Sequence, residues 1–370
     1  MNELKTYSEN QGQTGYFKHP VFAVAPMIDW TDRHYRFLAR QLSKHALLYT
    51  EMIVSEAILR GDRERLLGFD AVEHPVALQL GGNDPGKMAR AARIGEEFGY
   101  AEININVGCP SDRVQSGTFG ACLMREPAVV AECVAAMKAA VSIPVTVKCR
   151  IGVDDQDPEL ALRDLVSRVT QAGADAVWVH ARKAWLQGLS PKENRDIPPL
   201  DYDLVHRLKA ENPSLFIGIN GGLGSLNQAF EELNKGAALD GVMLGRAPYH
   251  DSAMLTAVDG VFPHPVSGAA PLDVSSETFT ANGHRQSLAF WGGVRDAMMG
   301  YAARHIASGG RLIHVTRHMV GLFQGWPGAR RFRQILSADA TRAGAGPEVI
   351  AAAFEAVFVA AEAKELVSSE

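Results

Sequence analysis

The sequence predicts an α/β chain: a (β/α)8 TIM barrel followed by a C-terminal all-helical domain. Three observations point there. Short β-rich apolar runs recur eight times, amphipathic segments lie between them, and the alternation stops after about Met254. Strands alternating with helices imply parallel pairing through right-handed crossovers. Eight such units in roughly 230 residues suit a closed barrel, typically about 250 residues long. The rival is an open doubly wound sheet. It would usually carry an early G-x-G-x-x-G turn, and none follows the first run.

The first run, VFAVAP (21–26), follows a polar extension, 1–19, that has no apolar core and so is no secretory signal. LLYTEM (47–52) and PVALQLGG (75–82) come next, then an amphipathic segment over 85–98. EININVGC (102–109) is the fourth run. Behind it Val129, Val130, Cys133, Val134, Met137 and Val141 recur at helical spacing in 127–141. Pro85 and Pro127 fall where a first helical turn tolerates proline. PVTVKCRIG (144–152), AVWVHAR (176–182), LFIGINGG (215–222) and GVMLGRA (241–247) complete the eight, with amphipathic 158–173 and 201–211 among them. The barrel is placed at 20–258. Residues 259–283, rich in Pro, Ser, Gly and Thr, read as a linker. From 284 to 370 the periodicity is helical only, with apolar stripes in 288–306, 311–322 and 347–367 and a basic amphipathic stretch at 329–336.

Composition narrows the function classes. A chain of 370 residues with 46% hydrophobic and 21% charged is ordinary globular material, long enough for one large barrel plus an appendage. The net charge of −5 excludes a chain basic throughout, but not a local basic patch. No run of about 18 apolar residues appears, so no membrane span is expected. The four cysteines, Cys109, Cys122, Cys133 and Cys149, stand at no metal-ligand spacing. Reduced thiols, a cytoplasmic location and no metal centre are expected. Nothing implies an obligate protein partner, and a monomer is expected.

Barrel chemistry gathers where strands end. Those ends carry Pro26 and Met27, Glu51, Gln79, Asn104 with Asn106 and Cys109, Lys148 with Arg150, His180 with Arg182, Asn220-Gly221-Gly222, and Gly245-Arg246. The two glycine turns come after strands seven and eight, the usual phosphate cradle of this fold. Either turn alone would be ordinary; together they imply a phosphate-bearing cofactor. Lys148 lies in an apolar strand, either snorkelling or ion-paired, or held as a fixed cation against an electron-rich ring or developing anion. His180 is a ligand-binding side chain or a satisfied core histidine. Cys109 ends N-I-N-V-G-C-P before a Gly/Ser/Thr-rich loop, so it is expected on the rim. A rim thiol is a nucleophile or a general acid, since a reference pKa of about 8.5 leaves it mostly protonated. Cys122, Cys133 and Cys149 suit inert packing.

The helical tail has its own charge. Between Arg285 and Arg342 stand nine arginines and no lysine against two acids, Asp296 and Asp339. Such a clustered face is the electrostatic footprint of nucleic-acid binding.

At these residues the chain resembles the tRNA-dihydrouridine synthases, most closely their A-type branch. The motifs are APMIDWTDRHYR, LQLGGNDP, EININVGCPSDRVQSGTFGACLM, VKCRIGVDD, VHARKAWLQGLSPKENRDIPPL, INGGL, VMLGRAPY and HVTRHMVGLFQGWPGARRFR. The resemblance implies FMN in the barrel mouth and NADPH as reductant. It places Ala25, Pro26 and Met27 beside the isoalloxazine, Gln79 at its pyrimidine edge, Lys148 near N1 and O2, and His180 on the ribityl-phosphate side. Asn220, Gly221, Gly222, Gly245 and Arg246 hold the phosphate. The implied reaction reduces the C5–C6 bond of uridine in the D-loop of tRNA, at positions 20 and 20a. Hydride from flavin N5 adds to C6, Cys109 protonates C5, and Asn106 orients the base. Expected tRNA contacts are His314, Arg317, Arg330 and Arg331 in the helical domain, with Lys183, Lys192 and Arg195 in the loop 182–199. The alternatives are an FMN-dependent TIM-barrel oxidoreductase of a small molecule, dihydroorotate-dehydrogenase-like or ene-reductase-like, and a non-catalytic RNA-binding protein. The first leaves the basic tail without a purpose.

Overall fold

In the computed structural model, which describes residues 18–111, 119–271 and 287–368, each of the eight apolar runs holds a strand. These are β1 (Val21–Val24), β2 (Leu47–Tyr49), β3 (Val76–Gly81), β4 (Glu102–Val107), β5 (Val145–Arg150), β6 (Ala176–His180), β7 (Phe216–Asn220) and β8 (Gly241–Leu244). All pair in parallel with their neighbours, and β8 returns to β1 through Val21↔Gly241 to Val24↔Leu244, closing the barrel. The second run does not make one strand. β2 stops at Tyr49, and a two-residue strand, Ile53–Val54, pairs with the end of β3. Thr50 explains the break, because its Oγ1 accepts the Gln79 N–H at 3.0 Å, so a side chain carries the contact to β3 there.

Strand residues alternate between two cores, as a pleat requires. Outward side chains pack under the helices. Inward ones include Val21, Ala23, Ala25, Tyr49, Ala77, Ala176, Trp178, Phe216 and Met243. Trp178 fits because Gly218 faces it: a Cβ there would lie 2.2 Å from the indole. The barrel helices α1 (Arg33–Leu42), α2 (Pro85–Glu97), α3 (Pro127–Ala140), α4 (Pro158–Gln171), α5 (Tyr202–Glu211) and α6 (Leu226–Asn234) follow the amphipathic segments. Asp32, Asp84, Asp157, Asp201 and Ser225 cap five of them through side-chain oxygens, each cap worth about 1 kcal/mol.

The barrel runs past the expected linker start. Buried Asp259 accepts from Ser43 Oγ (2.5 Å) and from the N–H groups of Lys44 (2.8 Å) and His45 (3.0 Å), and Phe262 packs on Phe22. Residues 259–262 are therefore barrel packing. The remainder of that segment from 272, and all but Lys18 and His19 of the N-terminal extension, lie outside the described residues.

The C-terminal residues form α7 (Leu288–Ala307), α8 (Leu312–Thr316), α9 (Ala329–Ala338) and α10 (Glu348–Ser368). Trp291, Phe323, Phe332 and Phe354 meet edge to face at centroid distances of 4.8–5.5 Å. The stripe 311–322 is only one short helix. At Gly321 the chain lies so close to the barrel that a Cβ would sit 2.3 Å from the His250 carbonyl oxygen. The domain docks on α1: Tyr301 stacks on Phe37 at 4.1 Å, while Asp32 pairs with Arg317 (2.5 Å) and His318 (3.0 Å). Among the described residues no helix is long and apolar enough to cross a membrane.

Candidate active site

The site starts from β4, whose inward residues are all polar. Asn106 Oδ1 accepts the N–H groups of Gly108 (3.1 Å) and Cys109 (2.9 Å), capping the turn that carries the thiol. Its Nδ2 donates to Gln79 Oε1 at 2.7 Å, linking β4 to β3. Cys109 is half-buried at the rim, and its Sγ lies 3.5 Å from Ser111 Oγ. The next seven residues of that loop, 112–118, lie outside the described residues.

Cations surround this turn. Lys148 stands opposite Asn106 in the β4–β5 register, and its Nζ donates to Asn220 Oδ1 at 3.0 Å. Asn220 is fixed in turn by donating to the Met243 carbonyl at 2.6 Å. Burial, with Arg150 adding repulsion, pushes the Lys148 ammonium down to about 8. Arg150 itself is buried. Its Nε donates to the Gly108 carbonyl (3.0 Å) and its Nη1 to those of Lys183 (2.9 Å) and Asn194 (2.8 Å), tying the thiol turn to the loop 182–199. Burial lowers its guanidinium to about 10. Lys148, Arg150 and Arg195 all lie within electrostatic reach of the Cys109 sulfur. Burial, then Arg150, Lys148, Arg182 and Arg195, holds His180 well below the usual histidine range, so its ring is neutral at pH 7.

The two glycine turns complete the rim. Gly221 (φ +109°) and Gly222 (φ +70°) take backbone that L side chains rarely adopt. A Cβ on Gly221 would lie 2.6 Å from His180 Cδ2, and one on Gly222 2.6 Å from Leu200. Gly245 draws Ala25 and Met27 to the same rim: a Cβ there would lie 3.2 Å from Met27 Sδ. Pro26 is half-buried between them. Arg246 pairs with Asp196 at 2.7 Å and stays partly exposed. His180 Nε2 and Arg182 Nε are buried without a hydrogen-bond partner among the described residues. Two unspent polar groups, a lysine and a cradle bare of Cβ atoms fit a planar, anionic, phosphate-bearing cofactor.

The expected cofactor residues thus share one end of the barrel with Cys109 and Asn106. The expected nucleic-acid contacts divide. Lys183 is engaged internally, its Nζ donating to the Gln156 carbonyl at 2.7 Å. Lys192 and Arg195 are exposed. His314 sits 3.1 Å from His305, and Arg317 is held by Asp32. Arg330 and Arg331 are exposed on α9 with no carboxylate partner among the described residues. Arg150, a strand-end residue with no expected role, is what ties the thiol turn to the loop. Its parity with Lys148 on β5 was the available signal. Among the described residues no cluster of His, Cys, Asp or Glu is arranged for a metal ion.

Residues 23–358 match the family model described as dihydrouridine synthase (Dus). The chain is 53% identical over 337 residues to the tRNA-dihydrouridine(20/20a) synthase of Shewanella oneidensis, spanning 91% of this chain and 94% of that protein. Against the protein of the same name from Pseudomonas aeruginosa it is 51% identical over 322 residues, 87% of this chain and 90% of that one. For the Synechocystis counterpart the values are 49% over 334 residues, 90% and 93%.

Proposed function

The chain belongs to the dihydrouridine synthase family, and on that premise we propose that it reduces uridine to 5,6-dihydrouridine at positions 20 and 20a in the D-loop of tRNA, with FMN in the barrel mouth and NADPH as reductant. The observation that carries the reading is the single rim shared by a half-buried thiol, an asparagine that caps its turn, a lysine and two Cβ-free turns.

A flavin held by these residues would supply the hydride that C6 of uracil accepts, with NADPH as the source of its electrons. Gly221, Gly222 and Gly245 would let backbone approach the cofactor phosphate, and Arg246 and His180 would help to hold it. The Lys148 ammonium, held by Asn220, would offer a fixed positive charge to a bound flavin and favour its anionic reduced form. Asn106 would donate its remaining amide N–H to a base carbonyl and hold the base in the barrel mouth. Addition at C6 leaves negative charge on C5 and O4. Cys109 gives its thiol proton to C5, so one hydride and one proton complete the reduction. The target base must leave its stack to reach this depth. Exposed arginines on α9 supply the phosphate contacts that such a substrate requires.

Mixing the purified protein, NADPH and unmodified tRNA, then mapping reduced pyrimidines by position, tests the reading. Dihydrouridine at 20 and 20a is expected. Turnover of free uridine or an enone, with none on tRNA, would transfer the protein to the small-molecule oxidoreductases.

A further inference from the structure

A polar chain crosses the barrel interior beneath the mouth, and its upper end dictates its direction. At the top, Asn106 meets the backbone N–H groups of Gly108 and Cys109. Such groups only donate, so the atom facing them is Oδ1 and the amide nitrogen faces the other way. Asn106 Nδ2 then donates to Gln79 Oε1 (2.7 Å), Gln79 Nε2 to Asn104 Oδ1 (2.8 Å), and Asn104 Nδ2 to Thr146 Oγ1 (2.7 Å). Thr146 has one hydroxyl proton left, and it goes to Glu102 Oε1, which also accepts from Tyr49 O–H at 2.6 Å. Gln79, Glu102, Asn104, Thr146 and Asn106 are all buried. The chain begins on backbone donors and reaches the Glu102 carboxyl, whose Oε1 takes both the Thr146 and the Tyr49 hydroxyl protons.

We propose that Glu102 is a positioning residue for uridine reduction: through Thr146, Asn104 and Gln79 it locks the Asn106 amide in the one orientation that caps the Cys109 turn and leaves N–H donors for the bound rings. The inference rests on the function proposed above. Gln79 Nε2 and Asn106 Nδ2 each carry a second hydrogen that no described residue accepts. Reversed, the same amides would turn oxygen toward the carbonyl groups of uracil and isoalloxazine and repel them. Space filling does not explain the chain, since the other side of the same interior is filled by Val21, Ala23, Ala25, Ala176, Phe216 and Met243. A buried polar network is costly unless each member is paired in a consistent direction.

Thr146→Val tests this. It keeps the side-chain shape but neither accepts from Asn104 nor donates to Glu102, whereas Thr146→Ser keeps the hydroxyl. Two quantities are read: hydrogen exchange at the Gly108 and Cys109 amides of the ligand-free protein, and the single-turnover rate of uridine reduction by the pre-reduced enzyme, beside its tRNA affinity. Thr146→Val is expected to speed exchange at those two amides about tenfold or more and to slow the turnover by a similar factor. Affinity for tRNA should stay within about twofold, and Thr146→Ser should restore both quantities. Unchanged exchange and turnover in Thr146→Val, or equal losses in the valine and serine variants, would overturn the proposal. Should the valine variant fail to fold, Asn104→Leu cuts the same chain one link higher and is judged by the same exchange and turnover. Wild-type protein inactive on tRNA would sink the proposed function, while the exchange result would still decide the role of the chain.

Discussion

Cys109 is held by its neighbours rather than by its own strand. Asn106 caps its turn and Arg150 grips the carbonyl just before it. With the thiol as proton donor to C5, Cys109→Ala should keep the yellow flavin and lose dihydrouridine formation by about 10²–10⁴-fold, read as flavin absorbance against reduced bases per tRNA. Lys148 gives a second outcome. Burial holds its ammonium down to about 8, against 10.5 for the free side chain. Below pH 8 folded and unfolded chains both carry the charge, so the ligand-free fold bears the full desolvation cost. Between about 8 and 10.5 only the unfolded chain keeps the proton, and that cost fades as pH rises. Lys148→Met should therefore stabilise the ligand-free protein at pH 7, by about 3 kcal/mol at most, while weakening FMN binding. Melting curves at pH 7 and pH 10 check it: the gain should shrink at the higher pH, and a loss at pH 7 would contradict it. Cys109, Lys148 and His180 were legible in the sequence because a strand end announces itself by an apolar run stopping. The grip of Arg150 was not, since its partners Lys183 and Asn194 lie on a loop whose path no local pattern gives. The same gap hides the hydrogen bond from the Lys183 ammonium to the Gln156 carbonyl.

Elements were the most legible level, because each strand and helix states its own boundaries. Apolar runs gave all eight barrel strands, and Asp or Ser caps stand where the helices begin. What escaped is governed by contacts between distant segments. Thr50 cuts β2 short by reaching Gln79, Asp259 ties the supposed linker to Ser43, and Gly321 ends a helical stripe against His250. The turn after β7 offers a test at this scale. Gly221 and Gly188 both have positive φ, +109° and +82°. A methyl on Gly221 would meet His180, whereas one on Gly188 meets nothing within 4 Å. Gly188→Ala should cost only the backbone strain, roughly 1–2 kcal/mol, and keep the flavin. Gly221→Ala should add the clash, destabilise further, and release the flavin. Flavin per protein and the melting midpoint of both variants check the contrast, and equal flavin retention would remove Gly221 from the cofactor cradle.

At the scale of the molecule, the barrel and the helical domain meet through titratable groups. Burial alone would raise the pKa of Asp32, but the hydrogen bond and charge of His318 outweigh it and hold the carboxyl well below its usual range. Burial holds His34 down to about 3, from 6.5 for the free ring. Both signs agree. Between pH 6.5 and 3 the unfolded chain binds a proton that folded His34 refuses, and below about 4 the same holds for Asp32, so stability drains as pH falls. The melting midpoint should decline steadily below about pH 6.5, and His34→Gln, which does not titrate, should decline less steeply. Equal slopes would show that docking does not depend on His34. That interface also decides how the nucleic-acid surface must be probed. The whole chain carries −5 while the tail between Arg285 and Arg342 is rich in arginine, so the remainder is acidic, an asymmetry that would steer an anionic substrate to the tail. Arg317 is a poor probe of that steering, because removing it also cuts the ion pair to Asp32. Arg330 and Arg331 are clean probes: exposed on α9, with no carboxylate partner among the described residues. Each phosphate contact contributes about 0.7–0.9 to the slope of log affinity against log salt. Arg330→Gln combined with Arg331→Gln should therefore lower that slope by about 1.5 and weaken tRNA binding most at low salt. Bleaching of the flavin by NADPH, which needs only the barrel mouth, should run at the wild-type rate. A slope left unchanged would move the RNA path off α9 and onto the exposed Lys192 and Arg195 of the barrel loop.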